Sequence, residues 1–352
     1  MPASTCAHTA AGRSEGADIE LGVDDRGGHA CLRVGGGPGN AHMSVVPSEL
    51  LGHAEGWQPV AGSFEEQGGV TWFVPRFPLV PGLSYSLLID GRESASIDVP
   101  AAASTPSTNV VSIHPTAEEV PVNLLRTYVS FSAPMSEGYA ARAVAVHRLD
   151  TGEPLDGVFL QMEPELWDSS RQRLTLLLDP GRIKRGLVPH LESGYPLTQD
   201  VPVAVIVDPS FRDAAGQPLR AAAERRYRIG PAIRARVDPL AWRLTAPAAE
   251  SSEPLVVAFE DPLDRALLQR CLVVVDAAMA PVRGAATTDD GDRVWRFRPA
   301  SPWQAGRYVL LVDARLEDVA GNAVHRVFDR DLDVPEHAPL DAHSVGVPLT
   351  IA

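Results

Sequence analysis

One cassette of residues occurs twice in the chain. Phe131-Ser-Ala-Pro-Met135 recurs as Phe259-Glu-Asp-Pro-Leu263, each directly after an apolar run. Downstream, Val203-Ala-Val-Ile-Val-Asp208 followed by Asp213-Ala-Ala-Gly216 recurs as Tyr308-Val-Leu-Leu-Val-Asp313 followed by Asp318-Val-Ala-Gly321. The two aspartates stand five residues apart in both copies. An ordered repeat of strands and turns predicts a duplicated folding unit, and its period-two alternation predicts a β-sandwich. A weaker third copy lies upstream: Gly82, Tyr85 and an apolar run ending at Asp90 parallel Gly306, Tyr308 and the run ending at Asp313.

A length of 352 residues suits about two or three domains. With 31 prolines and 29 glycines, nearly every apolar stretch is interrupted, and an interior proline costs a helix about 3 kcal/mol. The expected architecture is therefore all-β: tandem sandwich modules, three in a row, the latter two Ig-like. The boundaries read as a polar tail over 1–17, a first sandwich-like module over 18–100, and a linker of small residues over 101–109. A second module spans 110–230, a third 233–334, and a Pro/His/Ala-rich tail 335–352, in which Val345–Ile351 has the pattern of an edge strand.

A net charge of −14 argues against nucleic acid and anionic membrane surfaces, which require clustered Lys and Arg. Three cysteines are too few for a disulfide scaffold; Cys6 with Cys31 is the one pairing to consider, and Cys271 in a valine-rich run reads as a buried apolar residue. No run of eighteen apolar residues predicts a membrane span. The first residues lack the basic region and apolar core of a signal peptide, although Ala3-Ser4-Thr5-Cys6 is similar to the end of a lipoprotein signal whose start would lie upstream.

Tyr85 and Tyr308 suit the tyrosine corner, a hydroxyl that closes a loop beside a late strand. Asp208, Asp213, Asp313 and Asp318 suit turns, in which a carboxylate accepts the backbone amide two residues on. His29, His42 and His53, near Cys31 and Met43, have no zinc or copper spacing, so neither a metal site nor any other cofactor is expected. No acid, base and nucleophile converge in a recognisable catalytic arrangement, so no enzyme is expected.

What distinguishes the copies is an insertion. Phe131 to Asp208 spans 77 residues, against 54 from Phe259 to Asp313. The surplus is an acidic segment with Glu165, Trp167 and Asp168 and a basic one with Arg182, Lys184, Arg185 and His190. Loops on a rigid scaffold often carry function, so these seven residues are the candidate contacts for a protein, peptide or glycan. The alternative is that the two segments pack together, Trp167 burying itself and Arg182 or Lys184 pairing with Glu165 or Asp168.

A strand ending in Phe-Ser-x-Pro-Met, followed by an Asp-ended strand and an Asp-x-x-Gly turn, resembles the bacterial Ig-like domain named after the SbsA surface-layer protein. The resemblance covers about residues 110–334 and leaves the first module unmatched. It also takes in Asn123-Leu-Leu-Arg126 and Asp179-Pro-Gly-Arg-Ile-Lys-Arg-Gly186, strings similar to those of bacterial proteins built from such domains. It implies a non-catalytic structural or binding protein of the bacterial envelope, extracellular or cell-surface, with the modules as spacers. A carbohydrate- or peptide-binding accessory is the alternative, and an enzyme with a site between modules one and two a more distant one. The middle copy departs from the pattern at Val203, where the others have Tyr.

Overall fold

The computed structural model describes residues 19–25, 30–35, 42–51, 58–100, 107–289 and 291–352. Among the described residues, alternating β-branched and apolar residues form short, mostly antiparallel strands that pair into six sheets, two per domain. In the first domain, β1 (Glu20–Asp25), β2 (Ala30–Gly35), β5 (Val70–Pro75) and β4 (Gly62–Gln67) lie side by side in that order, and β3 (Met43–Pro47), β6 (Ser84–Ile89) and β7 (Arg92–Asp98) form the facing sheet. Lettered A to G in chain order, this is the A-B-E-D and C-F-G pairing of an immunoglobulin sandwich. The first module, which the sequence motifs left unmatched, therefore shares the topology of the others.

The second domain repeats that order with one addition. Its sheets are β8 (Val110–His114), β10 (Arg126–Phe131), β13 (Arg173–Leu177) and β12 (Leu166–Trp167), facing β11 (Val144–Arg148), β14 (Val203–Val207), β15 (Ala223–Gly230) and β9 (Glu119–Pro121). β9 pairs parallel to β15 and continues the C-F-G sheet. The third domain has β16 (Arg243–Thr245), β17 (Leu255–Ala258), β20 (Val294–Pro299) and β19 (Gly284–Thr288) against β18 (Leu272–Asp276), β21 (Gly306–Asp313) and β22 (Ser344–Ile351).

β22 takes up the edge strand expected over Val345–Ile351 and extends the third domain beyond the boundary expected at 334. Val347, Leu349 and Ile351 alternate into the core, and the strand pairs with β21 along eight residues. It is strand G, and the long F–G connection rather than the chain end carries the Pro/His/Ala-rich composition. The end of the expected linker is also more than a spacer: Thr108 is buried, its hydroxyl donating to Asp213 Oδ2 at 2.6 Å.

The tyrosine corners form as the spacing predicts. Tyr85 Oη accepts the Val80 amide at 2.9 Å, and Tyr308 Oη donates to the Gln304 carbonyl at 3.0 Å. Burial pushes the Tyr85 phenol up to about 12, so it stays neutral. Cys31 and Cys271 are buried; Cys6, His29, His53 and residues 101–106 lie outside the described residues.

Candidate functional site

The two halves of the cassette meet. Met135 bridges to Asp213 in the second domain and Leu263 to Asp318 in the third, tying the B–C loop of each to its F–G loop. Both aspartates build the same turn. Asp213 Oδ1 accepts the amides of Ala215 and Gln217, and Asp318 Oδ1 those of Ala320 and Asn322, all at 2.8 to 3.0 Å. Burial pushes Asp318 up to about 7 despite these donors. The turn then needs a left-handed residue, which Gly216 (φ 79°) and Gly321 (φ 84°) provide.

These paired loops dock on the preceding domain. A Cβ on Gly216 would lie 2.1 Å from the Pro81 carbonyl oxygen of the first domain, and one on Gly321 would lie 2.4 Å from Leu125 Cδ2 of the second. Around the first contact, Tyr139 Oη donates to Glu49 Oε1 at 3.0 Å, and the Arg171 guanidinium lies 4.6 Å from the Phe77 ring centroid. The apolar cores of the first two domains form one continuous cluster, which Val319 of the third joins.

The second junction is mostly polar. Asp264, which also caps the short helix α4 (Arg265–Leu268), accepts Tyr128 Oη at 2.6 Å and pairs with Arg126 at 3.3 Å. Arg126 also binds Glu317 at 2.5 Å. Across the same seam, Asp292 Oδ2 faces His114 Nδ1 at 3.2 Å and accepts the Thr116 amide at 3.1 Å. Asn123 holds both the amide and the carbonyl of Ile233 in the linker, and Asn322 donates to that carbonyl from the other side. Removing one partner from such a buried charged pair typically costs about 3–5 kcal/mol, because the other charge is left uncompensated.

The structure places the seven candidate residues in two separate regions. Glu165 is buried; its oxygens accept the Ala140 amide and Trp167 Nε1, each at 2.8 Å, and burial holds its carboxyl above the usual range. Trp167 packs its ring on Phe131 and Phe211, with centroids 5.8 and 6.0 Å apart. Asp168 accepts the amides of Gln172 and Arg173; these bonds and the Ser170 hydroxyl outweigh partial burial and hold it below the usual range.

The basic segment forms α2 (Pro180–Ile183) and α3 (Val188–Ser193) and turns to the other end of the domain. Arg182 donates to the carbonyls of Tyr195 at 2.7 Å and Gly194 at 3.1 Å, fastening the segment to itself. His190 Nδ1 faces the Arg182 carbonyl oxygen at 2.5 Å, and its ring packs on Tyr195. Lys184 lies 4.5 Å from the Phe328 ring centroid and Arg185 binds Asp329 at 2.6 Å, both partners in the third domain. The alternative pairing of Arg182 or Lys184 with Glu165 or Asp168 does not form: Arg182 binds its own segment and Lys184 and Arg185 turn to the second junction, while Glu165 sits beside the first.

An opening that no sequence motif marks lies between the sheet edges of the second domain. A groove of about 410 Å³ lies between β11 and β12–β13, beneath the segment from Pro154 to Met162. Glu165 lines it together with Gln58 of the first domain. Among the described residues, no three His, Cys, Asp or Glu side chains gather as metal ligands, and no helix is long and apolar enough to cross a membrane.

No protein-family model and no curated protein matches the chain. Among solved structures, it is similar to a native α2-macroglobulin fragment from Escherichia coli spanning domains MG0-NIE-MG1, with 12% identity over 69% of this chain and 71% of that one and a TM-score of 0.24. The N-terminal four Ig domains of Dscam1 isoform 6.44 match with 14% identity over 80% of this chain and 70% of that one, TM-score 0.17. Domains 4-9 of surface layer protein SbsC match with 9% identity over 99% of this chain and 48% of that one, TM-score 0.20. Superpositions this loose bear on neither activity nor partners.

Proposed function

We propose that this chain is a non-catalytic structural and binding protein whose three Ig-like domains form a rigid spacer, with partner contact through the side of the middle domain. One observation carries the reading. The B–C and F–G loops of the second and third domains, which face ligands in antigen-binding Ig domains, are here consumed in docking on the preceding domain. A chain that uses those loops twice as mortar favours fixed spacing over end-on recognition. The ionisable groups at the second junction serve the same purpose, each engaged by a group across the seam. An envelope or extracellular setting accords with this role and with the motif resemblance.

Small-angle scattering of the full chain tests the spacer. The expected profile fits one three-domain arrangement without interdomain flexibility. A profile that requires an ensemble of domain orientations would contradict it, and turnover in a hydrolase screen would overturn the non-catalytic reading.

A further inference from the structure

The groove beside Glu165 has a composition that selects its occupant. Val144, Val146, Leu155, Leu160, Met162 and Leu174 supply its aliphatic lining, interspersed with polar side chains. Its volume of about 410 Å³ falls within the span of small-ligand sites, roughly 300–1,000 Å³. It also lies where two domains meet, a common place for such sites.

The charged groups that line it have one sign, beside the neutral side chains of Gln58, Gln161 and Thr175. Gln58 is 7% exposed, and its side-chain oxygen has no hydrogen-bond partner. Glu165 is 6% exposed; a carboxylate offers about four acceptor positions, and the Ala140 amide, the Trp167 indole and the Gly138 amide take up three. Asp156 adds a further carboxylate to the lining, and no Lys, Arg or His is among the described lining residues. Leaving a buried acceptor unpaired is destabilising, so a donor arriving there recovers that cost. A primary ammonium carries three donors and a positive charge at the end of an apolar stem.

We propose that the groove binds a primary ammonium on an apolar stem, the stem lying along the aliphatic walls and the ammonium bonding to Glu165 and the Gln58 oxygen. The carboxylates of Glu165 and Asp156, with no cationic side chain among the described lining residues, repel carboxylates of the same length, and an uncharged alcohol brings one donor where the ammonium brings three and a charge. A free alkylamine and the lysine side chain of an extended peptide share this chemistry.

Isothermal titration of the full chain at neutral pH with n-hexylammonium, n-hexanol, hexanoate and a blocked Leu-Lys-Leu peptide tests the assignment. The expected result is saturable one-to-one ammonium binding at least tenfold tighter than hexanol, with no hexanoate binding. Tighter binding of the peptide or of the free amine supports the site either way and assigns its source. Glu165→Gln weakens the ammonium at least tenfold. Because Glu165 also holds local structure, Gln58→Leu is the second variant: it weakens ammonium binding several-fold while raising the thermal stability of the ligand-free protein. Equal affinity for ammonium and alcohol, no saturable binding, or ammonium affinity unchanged in Gln58→Leu would overturn the proposal. The spacer reading rests on scattering and stands apart from this outcome.

Discussion

Glu137 and Asp318 are acids that the fold prefers to keep protonated. Burial, with the Glu165 carboxyl close by, pushes Glu137 up to about 7, although Arg76, the Ala61 amide and Arg171 favour its charge. A group whose pKa rises on folding contributes stability that is complete below its unfolded value, near 4, and is lost as pH climbs through its folded value. Glu137→Gln removes that loss. Relative to the native chain, we expect this variant to gain about 1–3 kcal/mol at pH 8 and little at pH 4. Thermal unfolding at the two pH values reads the difference, and parallel pH profiles for the two proteins would contradict it. Asp213 and Asp318 show how a residue predicted from turn chemistry alone is placed correctly. In each, one carboxylate oxygen accepts amides within four residues of itself, so the turn is written locally, while the second oxygen of Asp213 takes the distant Thr108 hydroxyl.

At the scale of elements, alternation made the strands legible, and the repeated Phe-x-x-Pro and Asp-x-x-Gly motifs located the B–C and F–G loops. Three things were not legible. β22 was legible as a strand but its place was not, because a long F–G connection separates it from its domain, yet its buried Val347, Leu349 and Ile351 close the sheet. Ending the chain after Leu340 should therefore unfold the third domain and leave the first two intact, seen as loss of one calorimetric transition; an unchanged thermogram would contradict this. The purpose of α2–α3 was hidden because Arg185 finds Asp329 144 residues away. The pair is partly exposed, so Arg185→Ala should cost at most about 1 kcal/mol. Arg182→Ala strips the carbonyls of Gly194 and Tyr195 of their donor and should open residues 181–195 to proteolysis. Equal protease resistance of the two variants would argue against this division of roles. The groove was the third: it is a gap between sheet edges, and no motif marks a gap.

For the whole molecule, the repeat does more than duplicate a domain. Each copy carries the turn by which it is joined to its predecessor, so the cassette encodes both a sandwich and its attachment. The junctions differ in chemistry, the first continuing the apolar core and the second built on Arg126, Tyr128, Asp264 and Glu317. Both depend on a glycine at positive φ whose missing side chain admits the neighbouring domain. A side chain there costs about 1–2 kcal/mol in backbone conformation alone, before the clash that separates the domains. The most direct measurement is the distance distribution between spin labels at Arg92→Cys and Arg307→Cys, with Cys6 replaced by Ser, in the native background and in Gly216→Val and Gly321→Leu. A fixed three-domain arrangement gives one narrow distance in the native background and a broadened distribution in each glycine variant, with every domain still folded. A broad native distribution, or glycine variants as narrow as the native chain, would contradict it.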